Sequence, residues 1–290
     1  MHTPGISILC PTRGRLEPLK LMINSALETA SYPDQIEFCI WIDTDDSTYD
    51  DFLLNNNMKN IQVIRGQRMW LSIMFNCLAA IAKGDYLMWL GDDSKFCTNG
   101  WDQLLTNEID KFDNQIGLVY VNDLANYEQK YANIGMLHRN WITSFGFLLT
   151  PHLRDNGIDG WVTDVARQIG RCKFMEEVHI EHLQYRQGKS VIDKTYKERN
   201  STNLWNDVYG VYRLLKDERR REVLFLKHRW PKVKISRNYR YAISDLYIFV
   251  RKKHFVKNYL LAINYGSLSN SSFIRRIILR IIGRNHYKYD

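Results

Sequence analysis

Short apolar runs alternate with amphipathic stretches over the first 120 residues, and this alternation predicts the fold class. Five runs have the length and composition of buried strands, and they span residues 6–10, 37–42, 61–64, 86–90 and 116–121. Between these runs, apolar residues recur at helical spacing over residues 16–27, 69–82 and 101–112. Continuous apolar strands separated by helices are typical of a parallel sheet covered on both faces. The chain is therefore expected to form an α/β fold.

The pattern after residue 122 is less regular. Residues 143–150 are predicted to form a strand in which Gly146 packs closely against another backbone. A short helix is expected over 160–169 and a further strand over 174–180. From about residue 200 the sequence is helical in pattern and basic. We therefore expect an α/β domain over residues 1–200 and a basic, mainly helical region over residues 201–290.

Charged residues follow several of the predicted strands. Arg13, Asp43, Arg65 and Asp92 each lie within a few residues of a strand end. In open α/β sheets, ligands bind beyond the carboxyl ends of the strands. These four side chains are therefore expected to converge on one edge of the sheet and to form a site there.

Asp92 and Asp93 end the apolar run 86–90 and are the strongest candidates for metal chemistry. Two adjacent acids at such a position repel each other and lose hydration unless a cation compensates. Carboxylate oxygens suit Mg²⁺ or Mn²⁺, and these ions commonly bridge to substrate phosphates. The alternative is a solvated turn, because Gly-Asp-Asp-Ser is also favourable turn chemistry.

Four segments in order resemble inverting glycosyltransferase family 2. The stretch GDYLMWLGDDS resembles the part of that family that ends in its D-x-D-type motif, and ISILCPTRGR resembles its opening strand and turn. FCIWIDTDDST resembles its second strand and acid-rich loop, and residues 66–76 resemble the helix before the metal strand. The similarity covers roughly residues 5–185. It implies the GT-A fold, with a Rossmann-like, mostly parallel sheet flanked by helices, and transfer of a sugar from a uridine, guanosine or thymidine diphosphate.

The resemblance also implies roles for residues at the expected edge. Thr12 and Asp43 would line the nucleobase pocket, and Asp43 would accept from a base N–H. Asp92 would face the ribose or the water shell of the metal, and Asp93 would bind Mn²⁺ or Mg²⁺. Arg65 or Arg68 would steady the base or the diphosphate, since a guanidinium offers phosphate a bidentate fork. Arg13 is expected at the surface.

A second acidic motif competes for the metal. Asp43-Thr44-Asp45 is a literal D-x-D, whereas Asp92-Asp93 is not. The sequence that flanks Asp92 and Asp93 matches the metal strand of the family better. We therefore assign the metal to Asp93 and expect Asp45 and Asp46 to be loop residues.

Inverting transfer needs a carboxylate that deprotonates the acceptor hydroxyl, while the metal stabilises the departing nucleoside diphosphate. The resemblance implies a base at a helix start. Asp164 matches the second acid of the family's Glu-Asp pair, although Thr163 stands where Glu is expected. Asp159 is the alternative base, and both acids could instead cap the helix.

Further contacts are expected near the end of the strand at 174–180. Some family members supply a late His to the metal, and His182 matches that position better than His179. Either imidazole could instead be a hydrogen-bonded structural residue. On the acceptor side, Asp123 and Trp161 or Trp141 could contact a sugar, although core packing explains both Trp residues equally well.

Charge is distributed unevenly along the chain. Residues 211–290 hold 20 Lys/Arg and 5 Asp/Glu, a net charge of +15, whereas residues 1–210 hold 20 and 27, a net charge of −7. Within residues 268–290, an apolar stripe at helical spacing consists of Phe273, Ile274, Ile277, Ile278, Ile281 and Ile282, with Arg residues largely off it. This pattern is typical of a helix that lies on an anionic membrane surface. The alternative is a helix docked on the α/β domain or on a partner.

Composition narrows the location and the partners. The five cysteines are scattered and form no C-x-x-C pair, which argues against disulfides or structural zinc and favours a reducing compartment. We expect a cytoplasmic protein, peripheral at a membrane surface, that acts on a glycan or lipid-linked glycan. No motif indicates nucleic acid binding.

Two other function classes fit parts of the sequence. A sugar nucleotidyltransferase would normally carry a Gly-rich loop after the first strand, and PTRGR is too poor in glycine. A noncatalytic, membrane-associated scaffold with a degenerate transferase fold is the other. The joint presence of Asp43, Asp92, Asp93 and Asp164 argues against it.

Overall fold

The computed structural model describes residues 5–55, 60–124, 130–184, 188–189, 212 and 214–229. These residues form one mixed sheet with helices on both faces. The strands are β1 (Ile6–Thr12), β2 (Ile36–Asp43), β3 (Ile61–Gly66), β4 (Tyr86–Trp89), β5 (Ser94–Phe96), β6 (Leu118–Asn122), β7 (Gly135–His138) and β8 (Cys172–His182). The helices are α1 (Leu16–Thr29), α2 (Asp50–Asn55), α3 (Leu71–Ile81), α4 (Trp101–Asp110), α5 (Arg139–Phe145), α6 (Ile158–Gln168) and α7 (Lys216–Arg229).

The strand order is β3-β2-β1-β4-β7-β6-β8-β5. The first four strands of that order run parallel, with β1 between β2 and β4. Every residue of β2 is buried, as expected for a strand covered on both faces. The other half of the sheet is mixed, because β7 runs antiparallel to β4 and β6, and β5 runs antiparallel to β8. The α/β class is confirmed, and the sheet is parallel only in its first half.

Two apolar layers flank the sheet. On one face, α1 and α4 supply Leu19, Met22 and Trp101. On the other face, α3, α5, α6 and α7 supply fully enclosed residues such as Leu78, Trp141, Trp161 and Leu226. Within the described residues, no helix has both the length and the apolar character needed to cross a membrane.

The prediction of a strand over residues 143–150 is wrong. Arg139–Phe145 form α5, and Gly146 ends this helix with φ 82°, the left-handed conformation that glycine adopts without steric cost. Leu148 and Leu149 are buried after the helix, which explains the apolar run. The close backbone approach occurs at Gly135 in β7 instead, where a Cβ would lie 2.5 Å from the Trp89 ring.

Helix α7 lies in the region predicted as the basic extension, and it packs on α6. Trp161 of α6 is 1% exposed, and its Nε1 donates to Oε2 of Glu222 at 2.8 Å. The guanidinium carbon of Arg219 lies 5.0 Å from the centroid of the same ring. Burial raises the pKa of Glu222 to about 8. The protonated carboxyl is therefore the form that this interface favours.

This raised pKa predicts how stability depends on pH. The contribution of the protonated Glu222 carboxyl to the free energy of unfolding is fully present below the pKa that this carboxyl has in the unfolded chain. It is lost as pH rises through about 8. Glu222→Gln keeps an acceptor for Trp161 but does not titrate. We expect the variant to exceed wild type by roughly 2 kcal/mol in free energy of unfolding at about pH 9, and to match it at about pH 5.

Denaturant titrations at the two pH values measure this difference. Glu17→Gln is the matched control, because the Glu17 side chain is 79% exposed. That change should have little effect on stability at either pH. An equal effect of Glu222→Gln at both pH values would show that Glu222 is ionised in the folded protein.

Candidate active site at the carboxyl edge of the sheet

A chain of hydrogen bonds ties the turn after β1 to the end of β4. The Thr12 hydroxyl donates to Oδ2 of Asp92 at 2.7 Å, and it lies 2.6 Å from the hydroxyl of Tyr49. Because Thr12 has one hydroxyl proton and gives it to Asp92, Tyr49 must donate to Thr12. The Tyr49 oxygen in turn accepts from the backbone N–H of Arg15 at 2.9 Å. This network fixes the turn against Asp92.

Asp92 and Asp93 are buried, with 5% and 9% exposure. Burial and the neighbouring charge of Asp93 raise the pKa of Asp92 to about 6, although Arg15 and Thr12 oppose the shift. Nη1 of Arg15 lies 3.1 Å from Oδ1 of Asp92 and 3.6 Å from Oδ2 of Asp93. The pair is therefore not a solvated turn. It is a desolvated pair of like charges that the Arg15 guanidinium stabilises.

The register of β5 on β8 brings His182 to this pair. Ser94, which follows Asp93, lies opposite His182, and the backbone N–H of Leu183 donates to the carbonyl of Asp93 at 2.7 Å. Nε2 of His182 thereby comes within 3.3 Å of Oδ1 of Asp93. His179 lies three residues before His182 in β8, where its backbone bonds the N–H of Cys97 and the hydroxyl of Thr98. Of the two candidate histidines, His182 is the one next to Asp93.

Asp93 and His182 fit a divalent cation by their chemistry. Mg²⁺ and Mn²⁺ commonly take one or two carboxylates and complete their shells with water and substrate phosphates. An imidazole ligand favours Mn²⁺ of the two, since imidazole is a common ligand of transition metals. Among the described residues, no three His, Cys, Asp or Glu side chains surround one point. The edge therefore suits an ion that substrate oxygens help to hold.

A second acidic position lies at the end of β2. Asp43 is 3% exposed, and it accepts from Nη1 of Arg13 at 2.8 Å and from Nε1 of Trp41 at 3.2 Å. Arg13 also forks onto Asp45 at 2.5 and 2.7 Å, which lowers the pKa of Asp45 to about 2. Arg13 is therefore a partly exposed residue that two acids hold in place. Its side chain is 23% exposed and joins the turn after β1 to the loop after β2.

The loop after β2 is fixed by its own carboxylates. Asp46 accepts from the backbone N–H groups of Gly14 at 2.7 Å and Thr48 at 3.1 Å. Arg65 lies near the end of β3 and contacts Asp50 and the carbonyl of Asp46. Arg68 is exposed in the segment that leads into α3. Asp45 and Asp46 thus lie in the loop, and Arg65 lies beside it.

Helix α6, which carries both candidate bases, lies beside the end of β4. Nε1 of Trp89 donates to the carbonyl of Ala132 at 3.1 Å, and the N–H of Ala132 donates to the hydroxyl of Thr163 at 3.0 Å. The loop before α6 also caps α3, because Asp155 accepts from the N–H of Leu71 at 2.9 Å. These contacts hold α6 at the same edge of the sheet as Asp92.

Asp159 and Asp164 occupy different environments on α6. Asp159 lies in the first turn and accepts from the N–H of Gly160 at 2.8 Å. Asp164 lies about 7 Å further along the helix axis. Its Oδ2 accepts from Nε of Arg219 at 2.8 Å and from Nε2 of Gln168 at 3.1 Å, and its side chain is 20% exposed. Asp164 is therefore held by an arginine of α7.

The residues expected on the acceptor side differ in position. The carbonyl of Asp123 accepts from the N–H of His182 at 3.0 Å, and its carboxylate accepts from Asn133 at 2.7 Å. Asp123 thus lies beside His182. Trp161 and Trp141 are 1% and 2% exposed, so their rings pack in the core. That burial does not fit a face that stacks on a sugar.

Sequence reasoning missed Arg15, Tyr49 and Arg219. Arg15 had a usable signal, because it lies in the turn after a strand, three residues from Thr12. Tyr49 had no such signal in the sequence, because only the path of the loop after β2 brings its hydroxyl to Thr12. Arg219 lies 55 residues from Asp164 in sequence, and only the packing of α7 on α6 brings the two together.

Comparison with known proteins gives one family and several related folds. The model of the family described as Glycosyl transferase family 2 matches residues 7–166. No curated protein sequence matches the chain at a significant level.

Several solved structures resemble this fold. One is the mannosyltransferase PcManGT from Pyrobaculum calidifontis in complex with GDP-Man and Mn²⁺, with a TM-score of 0.52 and 11% identity over 97% of this chain and 80% of that one. Another is residues 1–349 of TarS from S. aureus, with a TM-score of 0.52 and 11% identity over 89% of this chain and 80% of that one. At this identity the likeness shows the fold, which is the GT-A type.

Proposed function

The chain belongs to glycosyl transferase family 2, and on that premise we propose that it moves a sugar from a nucleoside diphosphate to a hydroxyl acceptor, with inversion and with a divalent metal. The observation that carries the proposal is the meeting of Asp92, Asp93 and His182 beside Thr12 at the carboxyl edge of the sheet. That the chain is a glycosyltransferase follows from the family. The donor, the metal, the base and the acceptor are parts of the proposal.

The nucleoside part of the donor fits the edge formed by β1, β2 and β3. Asp43 accepts from Arg13 and Trp41, and a carboxylate has about four acceptor positions in all, so a base N–H can still be accepted. Thr12 lies on the same edge, beside Asp92. Arg65 and Arg68 carry positive charge to the rim, where a diphosphate would bind. A nucleotide sugar is also what the similar mannosyltransferase structure contains.

Asp93 and His182 are the proposed ligands of Mn²⁺ or Mg²⁺, with Asp92 beside them. When bound, the ion would stabilise the negative charge that develops on the departing nucleoside diphosphate. The residues of the chain hold this arrangement in place before substrate binds. Thr12 and Arg15 orient Asp92, and the pairing of β5 with β8 orients His182.

Asp164 is the proposed general base, with Asp159 as the alternative. It would take the proton of the acceptor hydroxyl as the oxygen attacks the anomeric carbon. Arg219 and Gln168 both donate to Oδ2 of Asp164, and this contact fixes the orientation of the carboxylate. The catalytic domain is proposed to span residues 1–200, and the region 201–290 would then contribute through Arg219.

The acceptor is proposed to be a glycan or a lipid-linked glycan at the cytoplasmic face of a membrane. The net charge of +15 over residues 211–290 supports an anionic surface as partner. The amphipathic stripe at 268–290 lies outside the described residues. Asp123, beside His182, is the proposed contact of the acceptor.

Ligand binding tests the donor site. We expect a nucleoside diphosphate at saturating concentration to raise Tm by about 5 °C when Mn²⁺ or Mg²⁺ is present, and by little without metal. Asp93→Asn should abolish this increment in a thermal-shift assay. Asp34→Asn is the matched control, because the exposed Asp34 precedes β2 at the opposite edge of the sheet. An equal increment without metal would contradict the site proposed here.

Turnover tests the base. Once a panel of nucleotide sugars has identified the donor, Asp164→Asn should lower kcat for nucleoside diphosphate release by roughly 100-fold or more. Asp159→Asn should lower it by less than about tenfold. Both variants should keep the metal-dependent increment in Tm. A larger loss of kcat in Asp159→Asn than in Asp164→Asn would show that Asp159 is the general base.

Vesicle binding tests the membrane surface. Deletion of residues 268–290 should release the protein from vesicles of phosphatidylserine and phosphatidylcholine in a sedimentation assay, because it removes the apolar stripe and its arginines. Hydrolysis of the nucleotide sugar should not change. Vesicles of phosphatidylcholine alone are the control. Equal sedimentation of the full and shortened chains would contradict the anchor.

A further inference from the structure

Arg15 lies between the two carboxylates at the end of β4. A single nitrogen, Nη1, lies 3.1 Å from Asp92 and 3.6 Å from Asp93. The side chain is 13% exposed, so little water screens these contacts. One guanidinium therefore shares its charge between two acids.

The backbone of Arg15 is held in place as well. Its N–H donates to the hydroxyl of Tyr49 at 2.9 Å, and its carbonyl accepts from the N–H of Leu19 at 3.0 Å, in the first turn of α1. The side chain thus begins at a fixed point beside Thr12. Arg15 is part of the built site and is not a flexible surface residue.

The charges in this cluster determine how strongly it attracts a divalent ion. Asp92, Asp93 and Arg15 together carry one negative charge, whereas the two acids alone would carry two. Coulomb attraction at these distances is strong in a desolvated site, so one unit of charge changes ion affinity by at least an order of magnitude. A bound divalent ion also leaves the cluster with one positive charge, which attracts an anionic diphosphate.

We propose that Arg15 is the resident counter-charge of the Asp92–Asp93 pair, which keeps affinity for the free divalent ion low and couples ion binding to the nucleoside diphosphate. This inference rests on the proposed function. Arg15 is then a positioning residue: it holds both carboxylates in place and sets the order in which the ligands bind. It need not touch the sugar or the acceptor.

Mn²⁺ binding to the full chain, followed by the EPR signal of the free ion in the absence of nucleotide, tests this inference. Arg15→Gln keeps hydrogen-bond donors but removes the charge, and we expect it to bind Mn²⁺ at least tenfold more tightly than wild type. Arg15→Lys keeps the charge and should stay within about threefold of wild type. With a saturating nucleoside diphosphate, the difference between Arg15→Gln and wild type should narrow.

Two further variants make the charge balance testable even if Arg15→Gln folds poorly. Asp92→Asn leaves a neutral cluster and should bind Mn²⁺ more weakly than wild type. The double variant Arg15→Gln/Asp92→Asn restores one negative charge and should bind as wild type does. It also removes both partners of a buried pair together, which is milder than leaving one charge unpaired.

The outcomes separate the inference from the function on which it rests. Equal or weaker Mn²⁺ binding by Arg15→Gln, with wild type still binding the ion in the presence of nucleotide, would overturn only the role of Arg15. If Arg15→Gln instead weakens nucleotide binding in the absence of metal, Arg15 contacts phosphate and the counter-charge role is wrong. If no variant binds Mn²⁺ with or without nucleotide, the metal dependence of the function fails, and the inference fails with it.

Discussion

Two adjacent carboxylates are buried at the end of β4, and the rest of the edge is arranged around their charge. A buried carboxylate needs hydrogen bonds and a nearby cation, because it has lost its water. Thr12 comes from β1, Arg15 from the turn that follows, and His182 from the end of β8. These residues reach Asp92 and Asp93 only if the strand order and register are those observed. Because the buried pair must be hydrogen-bonded and neutralised, the local structure of the turn depends on the topology of the whole sheet.

A second buried carboxylate is neutralised by an arginine in the same way, at the end of β2. Asp43 at the end of β2 is buried and is paired with Arg13, which also binds Asp45. Arg13 and Arg15 come from a single turn of three residues after β1, and this turn therefore balances acids from both neighbouring strands. A turn that is fixed in this way presents charged groups in set positions before any substrate arrives. Such preorganisation is the main source of electrostatic stabilisation in enzymes.

The sequence predicted the first half of the sheet well, for a physical reason. Strands β1, β2 and β4 are apolar and almost wholly buried, β3 is partly exposed, and the helices between them are long enough to show their period. The rule that ligands bind at carboxyl ends then placed Asp43 and Asp92 at one edge. It named Arg13 but missed Arg15, because the sequence does not show which of the two side chains reaches Asp92 and Asp93.

The second half was predicted only in part, because the runs 116–121 and 174–180 correspond to β6 and β8 but β5 and β7 were missed. Strands β5 and β7 have three and four residues, too few for a period to show. The run 143–150 is apolar because α5 and the residues after it are buried, and apolar character alone does not separate a short helix from a strand. Contacts such as that of Asp164 with Arg219 depend on packing between distant segments. Local sequence patterns therefore do not predict such contacts.

The limits of the family match divide the site in an informative way. The match ends at residue 166, so it includes Asp43, Asp92, Asp93 and Asp164. The partners that orient two of these acids lie beyond it: His182 contacts Asp93, and Arg219 contacts Asp164. The matched segment thus supplies the carboxylates together with Thr12, Arg13 and Arg15, and the later segment adds an imidazole and a guanidinium that contact two of the acids. Since α6 and α7 form one apolar core, a change in α7 that shifts Arg219 would move the Asp164 carboxylate directly. The arrangement of the edge therefore depends on residues that lie beyond the matched segment.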